Sequence, residues 1–206
     1  MNVIGITGPT GSGKSLVCDF LQKQNIPCID ADEVYHEMLL PPSECLDAIR
    51  SAFGDALFLP DGNLNRAALA EIVFNDSQKL ELLNETVLGI VLTKIRSIIA
   101  SHAQKGVDTV AVDAPTLIES GFHKECSTVI SVLAPKEQRF LRIMERDGLS
   151  EQRASERIAA QKSDSFYVES SDFVITNDTD SENLKNQLFD ILKKLGIKPE
   201  GDICKD

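Results

Sequence analysis

A glycine-rich octapeptide near the start of the chain contains the residue types that bind phosphate. It reads Gly8-Pro9-Thr10-Gly11-Ser12-Gly13-Lys14-Ser15 and matches the pattern G-x-x-x-x-G-K-[ST]. Glycines let successive backbone N–H groups point at phosphate oxygens, and the N-terminus of the following helix adds positive potential. In such a loop the lysine reaches the β- and γ-phosphates and the next hydroxyl binds Mg²⁺. The motif therefore predicts an ATP-binding loop, with Lys14 as a catalytic cation and Ser15 as a magnesium ligand.

Acidic residues follow two of the apolar runs that we expect to form strands. Asp113 ends a Val-Ala-Val run, and Asp30 and Asp32 follow the run at 27–29. Open parallel sheets bind ligands at the carboxyl ends of their strands. Asp113 at such an edge is typical of a magnesium ligand, bound directly or through water, and the alternative is a structural turn before Pro115.

The Asp30-Ala31-Asp32 segment also offers a general base. A kinase that acts on an alcohol needs a carboxylate to orient the hydroxyl and accept its proton. Asp32 is the candidate base and Asp30 its support, although the sequence does not decide which of them takes the proton. The alternative is that one of these aspartates only caps a helix predicted over residues 34–39.

Five of the eight arginines lie close together in the second half of the chain, namely Arg139, Arg142, Arg146, Arg153 and Arg157. Their spacing of three and four places the first three along one helix face and the last two along the next. Acidic residues lie between them, so one interpretation is a solvated face with weak ion pairs. Guanidinium groups also match phosphate geometry, and Gly148 separates the two predicted helices, so we favour an arginine lid over about 137–165 that closes on ATP.

The elements that must position these residues alternate between strand and helix. Short Val- and Ile-rich runs with little polar alternation predict buried parallel strands at 3–7, 27–29, 109–112, 128–133 and 173–176. Amphipathic patterns between them predict helices at 15–24, 135–146, 151–162 and 181–195. We therefore expect an α/β fold of three layers, the P-loop NTPase fold, with a five-stranded parallel sheet.

The stretch from 34 to 105 has no convincing strand and predicts a helical insertion. Apolar residues recur every three or four positions along one long helix, at Leu80, Leu83, Val87, Val91, Ile95 and Ile98. The expected domains are an α/β core of residues 1–33 and 106–196 and a helical insertion of residues 34–105, and periodicity does not decide whether the insertion binds a substrate. Residues 197–206 are expected to be a frayed tail.

Composition excludes several classes of protein. The 206 residues carry a formal net charge of −11, which argues against binding to nucleic acid or to an anionic membrane. No run approaches the roughly 20 apolar residues of a membrane helix. The first residues lack the basic leader of a secretion signal, and the five cysteines form no C-x-x-C pair, so we expect a cytoplasmic protein.

In this order, the phosphate loop, D-A-D, helical insertion and arginine cluster resemble the dephospho-coenzyme A kinase family. The similarity extends over about residues 1–190 and is carried by the segments 4–8, 29–32, 53–54, 61–66, 112–119, 142–150, 157–161 and 172–177. It implies transfer of the ATP γ-phosphate to the ribose 3′-hydroxyl of dephospho-CoA, the last step of coenzyme A synthesis, with Mg²⁺ bound alongside ATP. The resemblance also implies that residues 1–33 and 106–196 form a P-loop kinase core and that the insertion of residues 34–105 binds the CoA acceptor. The expected partners are these two substrates, in a monomer or small homo-oligomer.

The resemblance also implies roles for single residues. It makes Arg142 catalytic together with Lys14 and Asp32, and adds Arg142, Arg146 and Asn177 to the ATP-binding loop. It assigns acceptor binding to Thr7, Asp32, Arg66, Asp113, Pro115, Glu119, Arg157 and Gln161.

The chain departs from the family pattern at three points. Asn84-Glu85 replaces the usual His-Pro pair, Thr116 stands within the Pro-Leu-Leu segment, and Thr179 stands where a glycine is expected. Two other functions remain open on the sequence. A nucleoside monophosphate kinase would hold its acceptor phosphate with arginines, of which the insertion has only Arg50, Arg66 and Arg96. A degenerate relative would bind nucleotide or CoA without turnover.

Overall fold

The computed structural model describes residues 1–198, and its contacts divide the chain into two compact units. One consists of Met1–Cys28 and Val107–Asp206, and the other is Ile29–Gly106. The tail expected to fray lies outside the described residues from position 199 onward.

A five-stranded sheet with the strand order β2-β3-β1-β4-β5 is the centre of the fold. The strands are β1 Asn2–Thr7, β2 Cys28–Asp30, β3 Thr109–Asp113, β4 Thr128–Leu133 and β5 Phe173–Thr176. β1 pairs in parallel with β3 and β4, and β4 with β5. Every residue of β3 and β4 is buried, as expected of strands covered on both faces. The predicted α/β architecture is confirmed.

Nine α-helices surround or follow these strands in residues 1–198. They are α1 Lys14–Lys23, α2 Ala31–Glu37, α3 Glu44–Phe53, α4 Arg66–Phe74, α5 Ser77–Gln104, α6 Lys136–Asp147, α7 Glu151–Ala159, α8 Asp164–Glu169 and α9 Ser181–Lys194. In the first unit, Leu21 of α1 and Leu188 of α9 pack with Ile130 of β4 in one apolar cluster. Burial of these side chains anchors α1, and with it the loop that precedes it.

The helix predicted over 151–162 differs from the one observed. α7 ends at Ala159 rather than continuing to residue 162, and the separate helix α8 follows it. Ser163 caps α8 by accepting a hydrogen bond from the Phe166 N–H. This capping serine starts a separate short helix, which the sequence analysis did not predict.

The second unit is helical, as predicted for the insertion. The long helix α5 buries Leu83, Val87, Val91 and Ile95, so the central part of the predicted stripe is correct. Leu80 is 43% exposed, because it lies in the first turn of α5, outside the packed stretch. Within residues 1–198, no helix has both the length and the apolar character needed to cross a bilayer.

Candidate active site

The phosphate loop contains two glycines whose backbone leaves no room for a side chain. Gly8 has φ 139°, and a Cβ there would lie 2.2 Å from the Val132 carbonyl oxygen. Gly13 has φ 101°, and its Cβ would lie 2.2 Å from Nδ2 of Asn177. Because both angles are positive and both contacts are closer than atoms can approach, these positions require glycine.

Lys14 is the first residue of α1, and its side chain lies over the loop. Its Nζ donates a hydrogen bond to the Gly8 carbonyl oxygen at 3.0 Å. The residue before it, Gly13, makes no side-chain cap, so capping does not use the first N–H groups of the helix. A helix N-terminus beside an ammonium group is a site for an anion such as phosphate.

Three successive carbonyl groups of the loop accept hydrogen bonds from side chains behind it. Arg139 Nε donates to the carbonyl of Thr10 at 3.0 Å, and Arg142 Nη1 to that of Gly11 at 3.2 Å. Asn177 Nδ2 donates to the Ser12 carbonyl at 2.8 Å. With its carbonyls held outward in this way, the loop keeps its conformation before any ligand binds, which lowers the cost of binding.

Asn177 is itself fixed in place just after β5. Its N–H donates to the Leu133 carbonyl at 2.7 Å, and the residue is only 6% exposed. The resemblance assigned Asn177 to ATP binding, and the structure places its amide against the loop backbone. The contact joins the ends of β4 and β5 to the phosphate loop.

Gln161 lies in the turn after α7 and also contacts the loop. Its Oε1 accepts a hydrogen bond from the Thr10 N–H at 2.9 Å. The family resemblance assigned Gln161 to acceptor binding. The sequence gave no indication of its contact with the loop, because Thr10 is 151 residues away along the chain. Its occurrence in a family motif was the only signal of a role.

Four of the five clustered arginines form two groups. Arg139 and Arg142 face the phosphate loop, whereas Arg146 and Arg157 both bind Asp147, with N–O distances of 2.7 and 2.6 Å. The hydrogen bond from Arg146, together with the charges of Arg146 and Arg157, holds the pKa of Asp147 below its ordinary value, against the opposing effect of burial. Gly148, with φ 61°, ends α6 at the predicted break.

Asp113 and Ser15, the predicted magnesium ligands, both belong to the first unit. Asp113 lies opposite Ile6 at the carboxyl end of β3, on the strand next to the one that leads into the loop. Its Oδ2 accepts a hydrogen bond from the Cys18 thiol at 3.6 Å. A hydrogen bond with Cys28, burial and the charge of Asp113 raise the pKa of Cys18, so the thiol remains a donor.

A carboxylate and a hydroxyl are the hard donors that Mg²⁺ prefers, and a magnesium ion bound with ATP completes its shell with phosphate oxygens and water. Within the described part of the chain, no three His, Cys, Asp or Glu side chains come together as a metal-binding group. The donor set therefore fits a magnesium ion that arrives with the nucleotide.

Residues assigned to the acceptor surround the segment after β3. Thr7 Oγ1 donates to the Pro115 carbonyl at 3.4 Å, which joins the end of β1 to this segment. Burial of Tyr167, followed by the negative charge of the exposed Glu119, raises the pKa of Tyr167 to about 12. Thr7, Pro115 and Glu119 thus belong to one neighbourhood of the first unit.

The helix after D-A-D starts earlier than predicted. α2 begins at Ala31 rather than at residue 34, and Asp30 is its N-cap. Oδ1 of Asp30 accepts from the N–H groups of Asp32 and Glu33 at 2.8 and 3.0 Å. Of the two aspartates, Asp30 is therefore the cap, and Asp32 lies in the first turn of α2 with its side chain exposed.

Arg66 also contacts α2, in the second unit. Its Nη2 donates to the His36 carbonyl at 3.2 Å, one helical turn after Asp32. The packing of α4 against α2 thus brings two residues of the predicted acceptor site to one helix. Asn84 and Glu85, which replace the family's His-Pro pair, are both exposed on α5.

The parallel sheet and the phosphate loop define a P-loop kinase. The architecture agrees with that of shikimate kinase from Bacteroides thetaiotaomicron, which has a TM-score of 0.53 and 14% identity over 95% of this chain and 99% of that chain. Such a low identity supports the fold alone.

The chain belongs to the dephospho-CoA kinase family. The family model of that description matches residues 2–183. Dephospho-CoA kinase from Dehalococcoides mccartyi is 37% identical over 90% of this chain and 93% of its own length. The enzyme from Shouchella clausii is 37% identical over 93% and 97% of the two chains. The solved structure of dephospho-CoA kinase from Campylobacter jejuni has a TM-score of 0.69 and 25% identity, over 94% of this chain and 96% of that one.

Proposed function

We propose that this protein transfers the γ-phosphate of ATP to the ribose 3′-hydroxyl of dephospho-CoA. Membership of the dephospho-CoA kinase family is the observation that carries the proposal. The preformed phosphate loop supports it, because a loop with its carbonyls bound from behind can offer its N–H groups to phosphate oxygens.

In this proposal ATP binds at residues 8–15. The loop N–H groups hold the β- and γ-phosphates, and Lys14 moves from the Gly8 carbonyl to the phosphate oxygens. Arg142 stabilises the charge that develops on the transferred phosphoryl group, and Arg146 contacts the nucleotide. Both lie on α6, and Arg142 already contacts the loop through the Gly11 carbonyl.

Ser15 and Asp113 would hold Mg²⁺, Asp113 directly or through water. The ion supplies charge that neutralises the β- and γ-phosphate oxygens during transfer. We place the reaction in the cytoplasm, in a monomer or small homo-oligomer.

Asp32 is the proposed general base. A ribose hydroxyl is a poor nucleophile near neutral pH, and a carboxylate that accepts its proton as the new P–O bond forms lowers the barrier. The capping role of Asp30 supports this assignment, because Asp30 satisfies the N–H groups at the start of α2. Arg66, Arg157, Glu119 and the remaining assigned residues would bind the acceptor.

The test measures ATP consumption with Mg²⁺ and dephospho-CoA, with a panel of nucleoside monophosphates, and with no acceptor. Among these acceptors, we expect turnover only with dephospho-CoA. ³¹P NMR of the product should locate the new phosphate on the 3′-oxygen. Preferential turnover of a nucleoside monophosphate would contradict the proposed acceptor. Nucleotide binding without turnover of any acceptor would identify a degenerate relative.

A further inference from the structure

Arg139 is buried to an extent unusual for arginine. It lies on α6, and only 1% of its surface is exposed. Arginine is rarely buried fully unless it is paired, because removing its charge from water is costly. Burial accordingly lowers the pKa of Arg139.

The partners of Arg139 only partly compensate this cost. Nε donates to the Thr10 carbonyl at 3.0 Å, and Nη1 lies 3.8 Å from Oδ1 of Asp164, whose side chain is 54% exposed. Nη2 is buried without a hydrogen-bond partner among residues 1–198. The hydrogen bond to the phosphate loop is therefore shorter than the ion pair with Asp164.

The loop lies directly against α6 at this residue. A Cβ on Gly11 would lie 2.9 Å from the Arg139 carbonyl oxygen and 3.2 Å from its Cα. Both backbone polar groups of Thr10 are hydrogen-bonded to side chains. Its N–H donates to Gln161, and its carbonyl accepts from Arg139. These contacts fix both peptide groups of Thr10, and the orientation of one of them depends on Arg139.

We propose that Arg139 is a positioning residue for ATP, which orients the phosphate loop through the Thr10 carbonyl and does not itself contact the nucleotide. The proposal rests on the proposed ATP site in residues 8–15. Without the hydrogen bond, the Thr10 carbonyl is free to rotate and the loop is less ordered before ATP binds. The free energy needed to order the loop on binding then lowers the affinity for ATP. Acceptor binding does not depend on this contact.

Three substitutions separate the hydrogen bond of Arg139 from its charge. In Arg139→Gln, the Nε2 donor stands at the same bond position as the arginine Nε, without the charge. Arg139→Lys keeps the charge but places a carbon at that position, and Arg139→Met lacks both. Lys136→Leu, which removes an exposed charge from the first turn of the same helix, is the control.

The measurements are KM for ATP, KM for dephospho-CoA, kcat and the melting temperature. We expect Arg139→Met and Arg139→Lys to raise KM for ATP by about tenfold or more, the range for losing a hydrogen bond to a charged donor. Arg139→Gln should stay within about threefold of the parent, and KM for dephospho-CoA should stay unchanged in all variants. Lys136→Leu should match the parent.

A folded Arg139→Met or Arg139→Lys protein with the parent KM for ATP would overturn the proposal. So would an Arg139→Gln protein as impaired as Arg139→Met while Arg139→Lys is normal, since the charge would then be the active feature. If Arg139→Met does not fold, the Gln and Lys variants carry the comparison alone. Lys14→Ala, assayed in parallel for ATP binding, distinguishes failure of this proposal from failure of the ATP site itself.

Discussion

Substitutions of Asp30 and Asp32 should affect different properties of the protein, although the two residues are only two positions apart. Asp30 accepts hydrogen bonds from two backbone N–H groups, at 2.8 and 3.0 Å. Asp30→Ala therefore removes both hydrogen bonds at the start of α2. Loss of an N-cap costs about 1 kcal/mol of unfolding free energy, which in a chain of this length lowers the melting temperature by roughly 2 to 4 °C. Catalysis at a temperature well below melting should change little.

Asp32→Asn should have the opposite effect. It keeps the side-chain shape and leaves the Asp30 cap intact, but an amide cannot accept the hydroxyl proton. A positioned general base contributes about 10² to 10⁴ in rate, which corresponds to roughly 3 to 5 kcal/mol of barrier. We expect kcat to fall by that factor, while the melting temperature and ATP affinity remain close to the parent values.

The assay combines steady-state kinetics on dephospho-CoA with thermal unfolding for both variants. Asp30→Asn is the matched control, because asparagine also caps helices well. An Asp32→Asn enzyme that retained most of its kcat would refute the base assignment. If instead Asp30→Asn lost turnover while Asp32→Asn did not, the proton acceptor would be Asp30.

Three further predictions concern the phosphate loop and the arginines. Lys14→Ala should lower turnover by orders of magnitude with the fold intact by circular dichroism, because a charge-assisted phosphate contact is lost; near-normal turnover would exclude the loop as the ATP site. Arg142→Ala should lower kcat far more than it weakens dephospho-CoA binding, and a nonhydrolysable ATP analogue should increase hydrogen-exchange protection over 137–165; unchanged protection would argue against a lid. Because the pKa of Asp147 is depressed, its pairing with Arg146 and Arg157 stabilises the fold above the ordinary aspartate pKa of about 4 and is lost as the pH falls through the lower folded-state value. The melting temperature of Asp147→Asn should therefore lie below that of the parent at neutral pH and converge with it once the pH falls below the folded-state pKa of Asp147. A gap independent of pH would contradict this linkage.

Local sequence patterns determined the fold class and the phosphate loop. The Val- and Ile-rich runs predicted all five strands, since strands buried on both faces need apolar residues throughout. Gly8 and Gly13 were identifiable because a loop that curls round phosphate requires positive φ angles, which glycine adopts without strain. These properties depend on neighbours along the chain, so the sequence alone was sufficient.

Only the tertiary structure decided which polar residues hold the loop. The sequence placed Arg139, Arg142 and Arg146 along one helix face and did not distinguish them. In the structure, Arg139 is buried against Thr10, whereas Arg146 pairs with Asp147. Gln161 reaches the same residue of the loop from 151 positions away. Hydrogen bonds of this kind depend on how distant elements pack, and helix periodicity fixes the direction of a side chain but not the group that it meets.

Asp30 and Asp32 show the same division within three residues. Both are good capping residues, so composition left the cap undecided. The first helical residue decides it, and the backbone N–H groups of α2 point at Asp30 because the helix starts at Ala31. That starting point is set by where β2 ends in the sheet, which is a tertiary property, whereas the sequence offered a cap only as one of two possible roles for these aspartates.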